Sequence, residues 1–247
     1  MGEAIKVKDT LSGNIVSWVV SSDYPDPQVL FKKDYDFSKD SPRYELINLI
    51  EEDKGKPIDI LDIGCATGNT LKALKAQRPW ANLYGVEMDK GIAKEAAKYA
   101  DVYVGSIEDF ISSSKRKYDY VIMGDVLEHL LDPWVTLRDI KKNLIKPDGC
   151  LLASIPNVQN IMVVLNLLRG RFPYPSNDII NKWHLRFFTL YEIEEMLRIT
   201  GFKEYSFGAN LMDFNDGVKE LIKKIKEVVN LPGYQHFEAY QFIIKAR

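Results

Sequence analysis

The sequence predicts an α/β fold, a mostly parallel sheet with helices on both faces, and two observations carry that prediction. Short apolar segments rich in β-branched residues alternate with segments of helical periodicity, which is the pattern of repeated strand–helix–strand crossovers. The length of 247 residues suits one generous domain of that kind better than two complete ones.

The strands are expected at 58–63, 82–87, 102–104, 118–123 and 150–155, each bounded by turn residues. Helical periodicity fills the gaps at 70–77, 90–100, 107–113 and 133–145. Ahead of the first strand, 42–52 reads as a helix capped by Ser41 and started by Pro42. Its apolar face of Leu46, Ile47, Leu49 and Ile50 is expected to cover an edge of the sheet. After the fifth strand come a helix at 158–169, an irregular stretch at 170–188, a helix at 190–200, a strand at 202–207, a helix at 216–229 and a final strand at 239–245. Residues 1–36 are read as an N-terminal cover segment and 37–247 as the main domain, with a lid insertion at about 158–188.

The composition narrows the function. Hydrophobic residues at 46% and charged residues at 28% are the balance of a globular chain, against disorder or a fibrous architecture. The 33 basic and 35 acidic side chains nearly cancel, and without a long basic run nucleic acid is not expected as a partner. The uncharged stretch 149–168 is long enough to span a bilayer, but Pro156, Asn157, Gln159 and Asn160 interrupt it, so no integral membrane segment is expected. Residues 1–10 lack the apolar run of a signal peptide, and the two cysteines, Cys65 and Cys150, form no CxxC pair. A reducing cytoplasm is therefore expected.

The chemistry-bearing segment is Leu61-Asp62-Ile63-Gly64-Cys65-Ala66-Thr67-Gly68-Asn69, where the first strand of the main sheet turns into its helix. Gly64 and Gly68 permit a tight turn and close approach of backbone to a ligand, with a helix N-terminus facing it. A dinucleotide fingerprint is the competing reading, but Ala66 stands where its middle glycine belongs. At the tip of the second strand of that sheet, Glu87, followed by Met88 and Asp89, can accept hydrogen bonds from both hydroxyls of a ribose.

In that order LDIGCATGN, YGVEMD, VGSIEDF, YDYVIMGDVLEHLLDPW and IKPDGCLLASIPN resemble class I S-adenosylmethionine-dependent methyltransferases. The chain looks most similar to the branch with DVLEHL and HLRFFT patterns, which includes ubiquinone-pathway O-methyltransferases and enzymes of cell-surface sugar assembly. The likeness covers 59–202, and the closing AYQFIIKAR shares it. It implies a Rossmann-like sheet with an antiparallel last strand and S-adenosylmethionine as cofactor. Carried over by position, Asp62, Gly64, Ala66 and Gly68 would surround the methionine part. Glu87, with Met88 beside it, would hold the ribose, and Ser106 and Ile107 the adenine edge, where the family often has an acid in place of the serine. Gly124 and Asp125 would lie beside the transferred methyl group.

Methyl transfer to a hydroxyl needs an in-line approach and a base for the proton. His129 is one candidate base, just past the end of a strand on the carboxyl edge where open α/β sheets bind ligands. His184, in HLRFFT, is the second; Thr189 is expected to cap the next helix with Glu192 completing a capping box. The family usually has an Asp and a Thr shortly before that histidine, where this chain has Asn181 and Trp183. The aromatic, turn-rich stretch 170–183 is read as a lid over the acceptor. Glu128 beside His129 could join a divalent-ion site as in some ubiquinone-pathway relatives, but histidine and cysteine spacing shows no metal constellation and none is expected.

The expected function is methyl transfer from S-adenosylmethionine to an oxygen, in preference to a nitrogen, of a small acceptor such as a sugar or a quinone-pathway-like molecule. A fold that keeps the nucleoside pocket but serves as a partner or scaffold is the alternative, motivated by Asn181 and Trp183. A nicotinamide-dependent oxidoreductase is disfavoured by Ala66.

Overall fold

A computed structural model describes residues 4–8, 15–19, 41–51, 57–175, 178–229 and 235–247. The chain divides into Met1–Tyr35 and Asp36–Arg247. In the first unit β1 (Ala4–Lys8) pairs antiparallel with β2 (Ile15–Val19). The rest of the expected cover segment, 1–36, lies outside the described residues.

The second unit runs α1 (Tyr44–Ile47), β3 (Asp59–Ile63), α2 (Asn69–Gln77), β4 (Asn82–Glu87), α3 (Lys90–Ala96), β5 (Asp101–Val104), α4 (Ile107–Ser113) and β6 (Tyr118–Gly124). A 3-10 turn (Leu127–His129), α5 (Pro133–Asn143), β7 (Ile145–Pro156), α6 (Ile161–Leu168), α7 (Leu190–Ile199), β8 (Tyr205–Leu211), α8 (Asp216–Val229) and β9 (Ala239–Ala246) follow. The seven-stranded sheet has the order β5-β4-β3-β6-β7-β9-β8. Pairing is parallel from β5 through β7, and β9 enters antiparallel between β7 and β8. This is the Rossmann-like arrangement with an antiparallel last strand that the resemblance implied.

The central strands read as near-continuous apolar runs because both faces are covered. Leu61, Ile63, Val121, Met123, Leu151 and Ala153 point to the cluster shared with Ile107, Leu137, Ile140 and Ile193 from α4, α5 and α7. Their neighbours Ile60, Tyr120, Ile122, Cys150 and Leu152 point to the other, with Leu46, Ile47, Leu71, Leu74 and Ala96 from α1, α2 and α3. Strand alternation thus sorts one sequence onto two cores.

Several expected boundaries move. The helix expected at 42–52 is only Tyr44–Ile47; Ser41 does not cap it, Arg43 takes the cap position without a side-chain bond, and the chain leaves through tight Leu49 N–H to Leu46 O and Ile50 N–H to Ile47 O bonds. Residue 52 lies outside the described residues. The helix packs against β7 and β9 inside the sheet, not against an edge, since β5 and β8 are the edges. The helix expected to reach residue 100 ends at Ala96, and the one expected to reach 145 ends at Asn143. The strand expected at 150–155 is twelve residues long, because Gly149 lets 145–149 pass close to Tyr118, whose carbonyl oxygen a Cβ there would meet at 2.8 Å. The strand expected at 202–207 starts at Tyr205; Phe202 is instead a buried loop anchor of the core. At α7, Thr189 holds the cap position, but its hydroxyl donates to the Glu192 carboxylate and not to the backbone pattern of a capping box.

Candidate active site

The carboxyl ends of β4, β3 and β6 lie side by side and the chain order reverses between β3 and β6, the switch point outside which open sheets form their ligand crevice. The turn after β3 is held by Gly64 N–H and Cys65 N–H, both donating to Val86 O at 2.8 and 3.1 Å. Gly64 has φ +69° and Gly68 φ +80°, so both need glycine's left-handed freedom. What a side chain would strike here is protein: a Cβ on Gly64 would lie 2.8 Å from Val126 Cγ2, and one on Gly68 2.6 Å from Ala96 Cα. Ala66 is also left-handed, at φ +46°, and Glu87 Oε2 fixes it by accepting from Ala66 N–H at 3.0 Å.

Glu87 Oε1 accepts from Asp89 N–H at 2.9 Å, so the strand-tip carboxylate is oriented by backbone and retains lone pairs toward the crevice. Met88 is 75% exposed, an apolar side chain left open beside it. Ser106 caps α4 by accepting from Asp109 N–H at 3.1 Å, which leaves its O–H as the group it can offer, and Ile107 is buried. Asp62 is buried, and its carboxyl is pushed up to about 7, chiefly by desolvation; Arg43 opposes the shift and Glu87 adds to it.

Asp125, left-handed at φ +55°, is held by side chains from three other parts of the chain. Its Oδ2 pairs with Arg43 NH2 at 2.8 Å, and its Oδ1 accepts from Ser154 Oγ at 2.9 Å and from Gln241 Nε2. Arg43 lies across Gly124, where an added Cβ would be 3.1 Å from the Arg43 Cγ. Sequence reasoning missed Arg43, Ser154 and Gln241. Arg43 sits in an SPRY segment whose serine and proline read as helix-start residues, while Ser154 and Gln241 hide inside apolar strands.

The two histidines stack edge to face with ring centroids 4.8 Å apart. His129 keeps part of its surface open to solvent although its ring is partly desolvated by the surrounding chain, and its Nδ1–H donates to Trp183 O at 3.0 Å, which makes Nε2 the accepting nitrogen of the ring. His184 is buried: its Nδ1–H donates to Ile179 O at 2.8 Å while Nε2 accepts from Asn181 Nδ2 at 3.0 Å. Asn181 is therefore a structural partner, and an amide donor favours the neutral ring where a carboxylate would favour imidazolium. Burial lowers the pKa of both histidines. The segment 185–186 is pinned to the 3-10 turn by Leu185 N–H and Arg186 N–H, which donate to Glu128 O at 2.8 and 3.0 Å. In the stretch expected to be a lid, Phe172 packs edge-on against Tyr174 and Phe187, whereas Trp183 stays exposed under Lys182. The fold also brings ligand-capable atoms of Glu128, His129 and His184 within 4.8 Å of one another, a grouping that linear spacing conceals. Both His184 nitrogens are already engaged outside that grouping, with Ile179 O and Asn181 Nδ2.

Fold and crevice together define a Rossmann-like methyltransferase. A family profile described as "Methyltransferase domain" matches residues 39–206, and the chain belongs to that family of S-adenosylmethionine-dependent enzymes. Among curated proteins it is 28% identical over 171 residues to an uncharacterised protein of Methanocaldococcus jannaschii, covering 62% of this chain and 64% of that one. It is 29% identical to a malonyl-[acyl-carrier protein] O-methyltransferase of Halalkalibacterium halodurans, covering 45% of each chain. It is also 29% identical to a ubiquinone biosynthesis O-methyltransferase of Xanthomonas campestris, covering 40% of this chain and 43% of that one. The matches thus span between 43% and 64% of these relatives. Among solved structures, an S-adenosylmethionine-dependent methyltransferase from Archaeoglobus fulgidus superposes with TM-score 0.58 at 19% identity, covering 83% of this chain and 92% of that one. A plantazolicin methyltransferase in complex with S-adenosylhomocysteine gives 0.55 at 20% identity, covering 79% and 77%. At that identity the likeness is one of fold. Among the described residues no helix is long and apolar enough to cross a membrane.

Proposed function

We propose that this protein transfers the methyl group of S-adenosylmethionine to a hydroxyl oxygen of a small acceptor, with His129 as the base. The observation that supports it most is the convergence of Glu87, the left-handed loop at Ala66 and the Arg43–Asp125 pair on one crevice. The donor set fits the cofactor part by part: a strand-tip carboxylate for ribose hydroxyls, a helix N-terminus behind the loop, and one cation beside one anion for a methionyl carboxylate and ammonium. Arg43 takes the carboxylate, Gly64 and Gly68 shape the bend, and Gly124 and Asp125 face the reacting end. Met88, Ser106 and Ile107 line the adenine side.

Bound there, the cofactor would supply an electrophilic methyl carbon on a sulfonium, to which the acceptor oxygen would bond as the C–S bond broke and left its electron pair on sulfur. The hydroxyl proton passes to His129 Nε2, and the resulting imidazolium keeps its Nδ1–H on the Trp183 carbonyl. His184 holds the lid against the site and takes no part in proton transfer, since its Nδ1–H is given to Ile179 O and its Nε2 is engaged by Asn181. Residues 158–188 act as the lid that excludes water from the acceptor. Calorimetric titration of the full chain with S-adenosylhomocysteine tests the cofactor assignment, and absence of binding refutes it. Turnover with labelled S-adenosylmethionine tests the reaction; binding without turnover on any acceptor of a broad panel identifies a partner or scaffold module instead.

A further inference from the structure

β8 is one edge of the seven-stranded sheet, and among the described residues no strand pairs with its outer side. The ladder to β9 fixes which backbone groups that edge leaves open. Glu204 and Arg247 exchange N–H to O bonds at 3.3 and 2.7 Å, so Ser206, Gly208 and Asn210, the alternate positions after Glu204, turn their backbone groups toward β9. Tyr205, Phe207, Ala209 and Leu211 therefore turn N–H and C=O outward, an open row of donors and acceptors. Folds usually guard such an edge with charge, proline, a bulge or brevity. β5, the opposite edge, is four residues long and begins with Asp101. β8 has seven residues with neither charge nor proline, and the register shift near its end leaves its own backbone regular, because the extra residue, Tyr240, lies on β9. From Gly208 onward every residue of β8 is exposed, Leu211 at 70%.

We propose that β8 is the two-fold interface of a homodimer, pairing antiparallel with β8 of a second copy of this chain about an axis through Gly208. In that register Phe207 lies opposite Ala209, Tyr205 opposite Leu211 and Ser206 opposite Asn210, each relation occurring twice as two-fold symmetry requires. The bonded pairs are the four residues with outward N–H and C=O groups, so the open groups find partners without any change of backbone. Leu211 is laid beside a tyrosine, and a serine meets an amide. Gly208 faces its own copy at the non-bonded position, where the strands come closest, about 4.5 Å between Cα atoms. Two residues beyond the strand ends, exposed Lys203 comes opposite Asp213, whose side chain is 94% exposed and meets Lys219 of its own chain. The charges that flank the uncharged strand are thus opposite in sign across the axis. A register moved by two residues sets Lys203 against Leu211 or Asn215 and loses that match.

Sedimentation velocity of the full chain is the first arm of the test. At about 100 μM wild type sediments as a dimer; a monomer there overturns the proposal, and so do species that grow past the dimer, which a closed two-fold forbids. The monomer fold has room for a side chain at 208, since a Cβ would meet only Ile243 Cβ, at 3.7 Å. Gly208→Lys therefore keeps the wild-type Tm within a few degrees, but it sets two ammonium groups face to face on the axis and weakens the dimer at least about ten-fold. Should that variant fail to fold, Gly208→Cys decides. Cys65 and Cys150 are buried, and the axis places the new thiol against its own copy, so oxidised glutathione joins two chains through one disulfide. Ser206→Cys, four residues away from its own copy, stays unlinked under the same treatment. The register is tested by charge reversal: Lys203→Asp and Asp213→Lys each weaken the dimer by about three- to ten-fold, and the double variant returns to within about two-fold of wild type. A dimer that is indifferent to Gly208→Lys and leaves Gly208→Cys unlinked has its interface elsewhere, which overturns the assignment. A double reversal weaker than both single ones overturns it as well.

Discussion

Arg43 and Asp125 form an ion pair at the carboxyl end of β6, NH2 to Oδ2 at 2.8 Å, with the arginine stem lying over Gly124. Asp125 is held in a left-handed conformation by Ser154 and Gln241 from two other strands, so the arginine, at the cap of a four-residue helix, is the partner that can turn toward a ligand. Arg43→Met is expected to weaken S-adenosylhomocysteine binding by about 1.5–3 kcal/mol, the range for hydrogen bonds to charged groups. Methylthioadenosine, which lacks the amino-acid end, should bind wild type and variant equally. Parallel titrations decide it, and an equal loss for both ligands would show that Arg43 supports the fold and not the carboxylate.

Glu87 has two duties that a single substitution removes together. It accepts from Ala66 N–H and Asp89 N–H, and it faces the proposed ribose. Glu87→Ala should weaken cofactor binding by about 1–3 kcal/mol, the penalty for stranding hydrogen-bonding groups. Glu87→Gln can still accept one of the two backbone bonds and should fall between wild type and alanine. Unchanged affinity in the alanine variant removes the ribose assignment.

The order of the elements and both cores were legible in the sequence because period-2 apolar runs and helical stripes are set by local geometry. Leu61 and Ile63 against Ile60 is enough to show two buried faces. The glycine loop and Glu87 were legible for the same reason, since their chemistry is concentrated in adjacent residues. Arg43, Ser154 and Gln241 were not, because the sheet order β6-β7-β9 brings Ser154 and Gln241 to Asp125 and the packing of α1 on β7 and β9 brings Arg43, and no linear pattern encodes those neighbourhoods. Nor was the difference between the two histidines, which depends on the carbonyls of Ile179 and Trp183 and the amide of Asn181.

That difference is testable. His129→Gln should lower the transfer rate by about 10²–10⁴-fold, the usual contribution of a positioned base, with cofactor affinity intact. Burial lowers the pKa of His129, so the wild-type rate should stay level at neutral pH and fall as acid protonates Nε2, with a midpoint below 6.5. The stability sign follows: both histidines bind protons less readily folded than unfolded, so their contribution is present above 6.5 and is lost as pH falls below it. A pH–rate profile that is flat down to acid unfolding would exclude His129 as the base.

Gly68 is required by two independent constraints, a φ of +80° and close packing against the Ala96 backbone that leaves no room for a methyl group. Gly68→Ala should cost about 1–3 kcal/mol through strain and displacement of α3. For a domain of this size that corresponds to a Tm drop of several degrees, about 2–4 °C per kcal/mol. A scan showing an unchanged Tm would mean that α3 yields freely and that the loop geometry is not fixed by its packing.

Asp62 connects the cofactor's charge to pH. Its carboxyl, pushed up to about 7 by burial, has a folded pKa above the unfolded 3.8. Its stability contribution is therefore full at low pH and is lost as pH rises through 7. Asp62→Asn should flatten the Tm–pH curve between those values. A sulfonium arriving in the crevice favours the carboxylate, so S-adenosylmethionine should release a proton on binding below pH 7, and its affinity should rise with pH by at most about ten-fold per unit, the limit for one linked proton. S-adenosylhomocysteine carries no sulfonium charge and should show a smaller dependence. Binding enthalpies measured in buffers of different ionisation enthalpy report the released proton directly. Identical buffer dependence for the two ligands would place the sulfonium too far from Asp62 for the buried carboxyl to sense it.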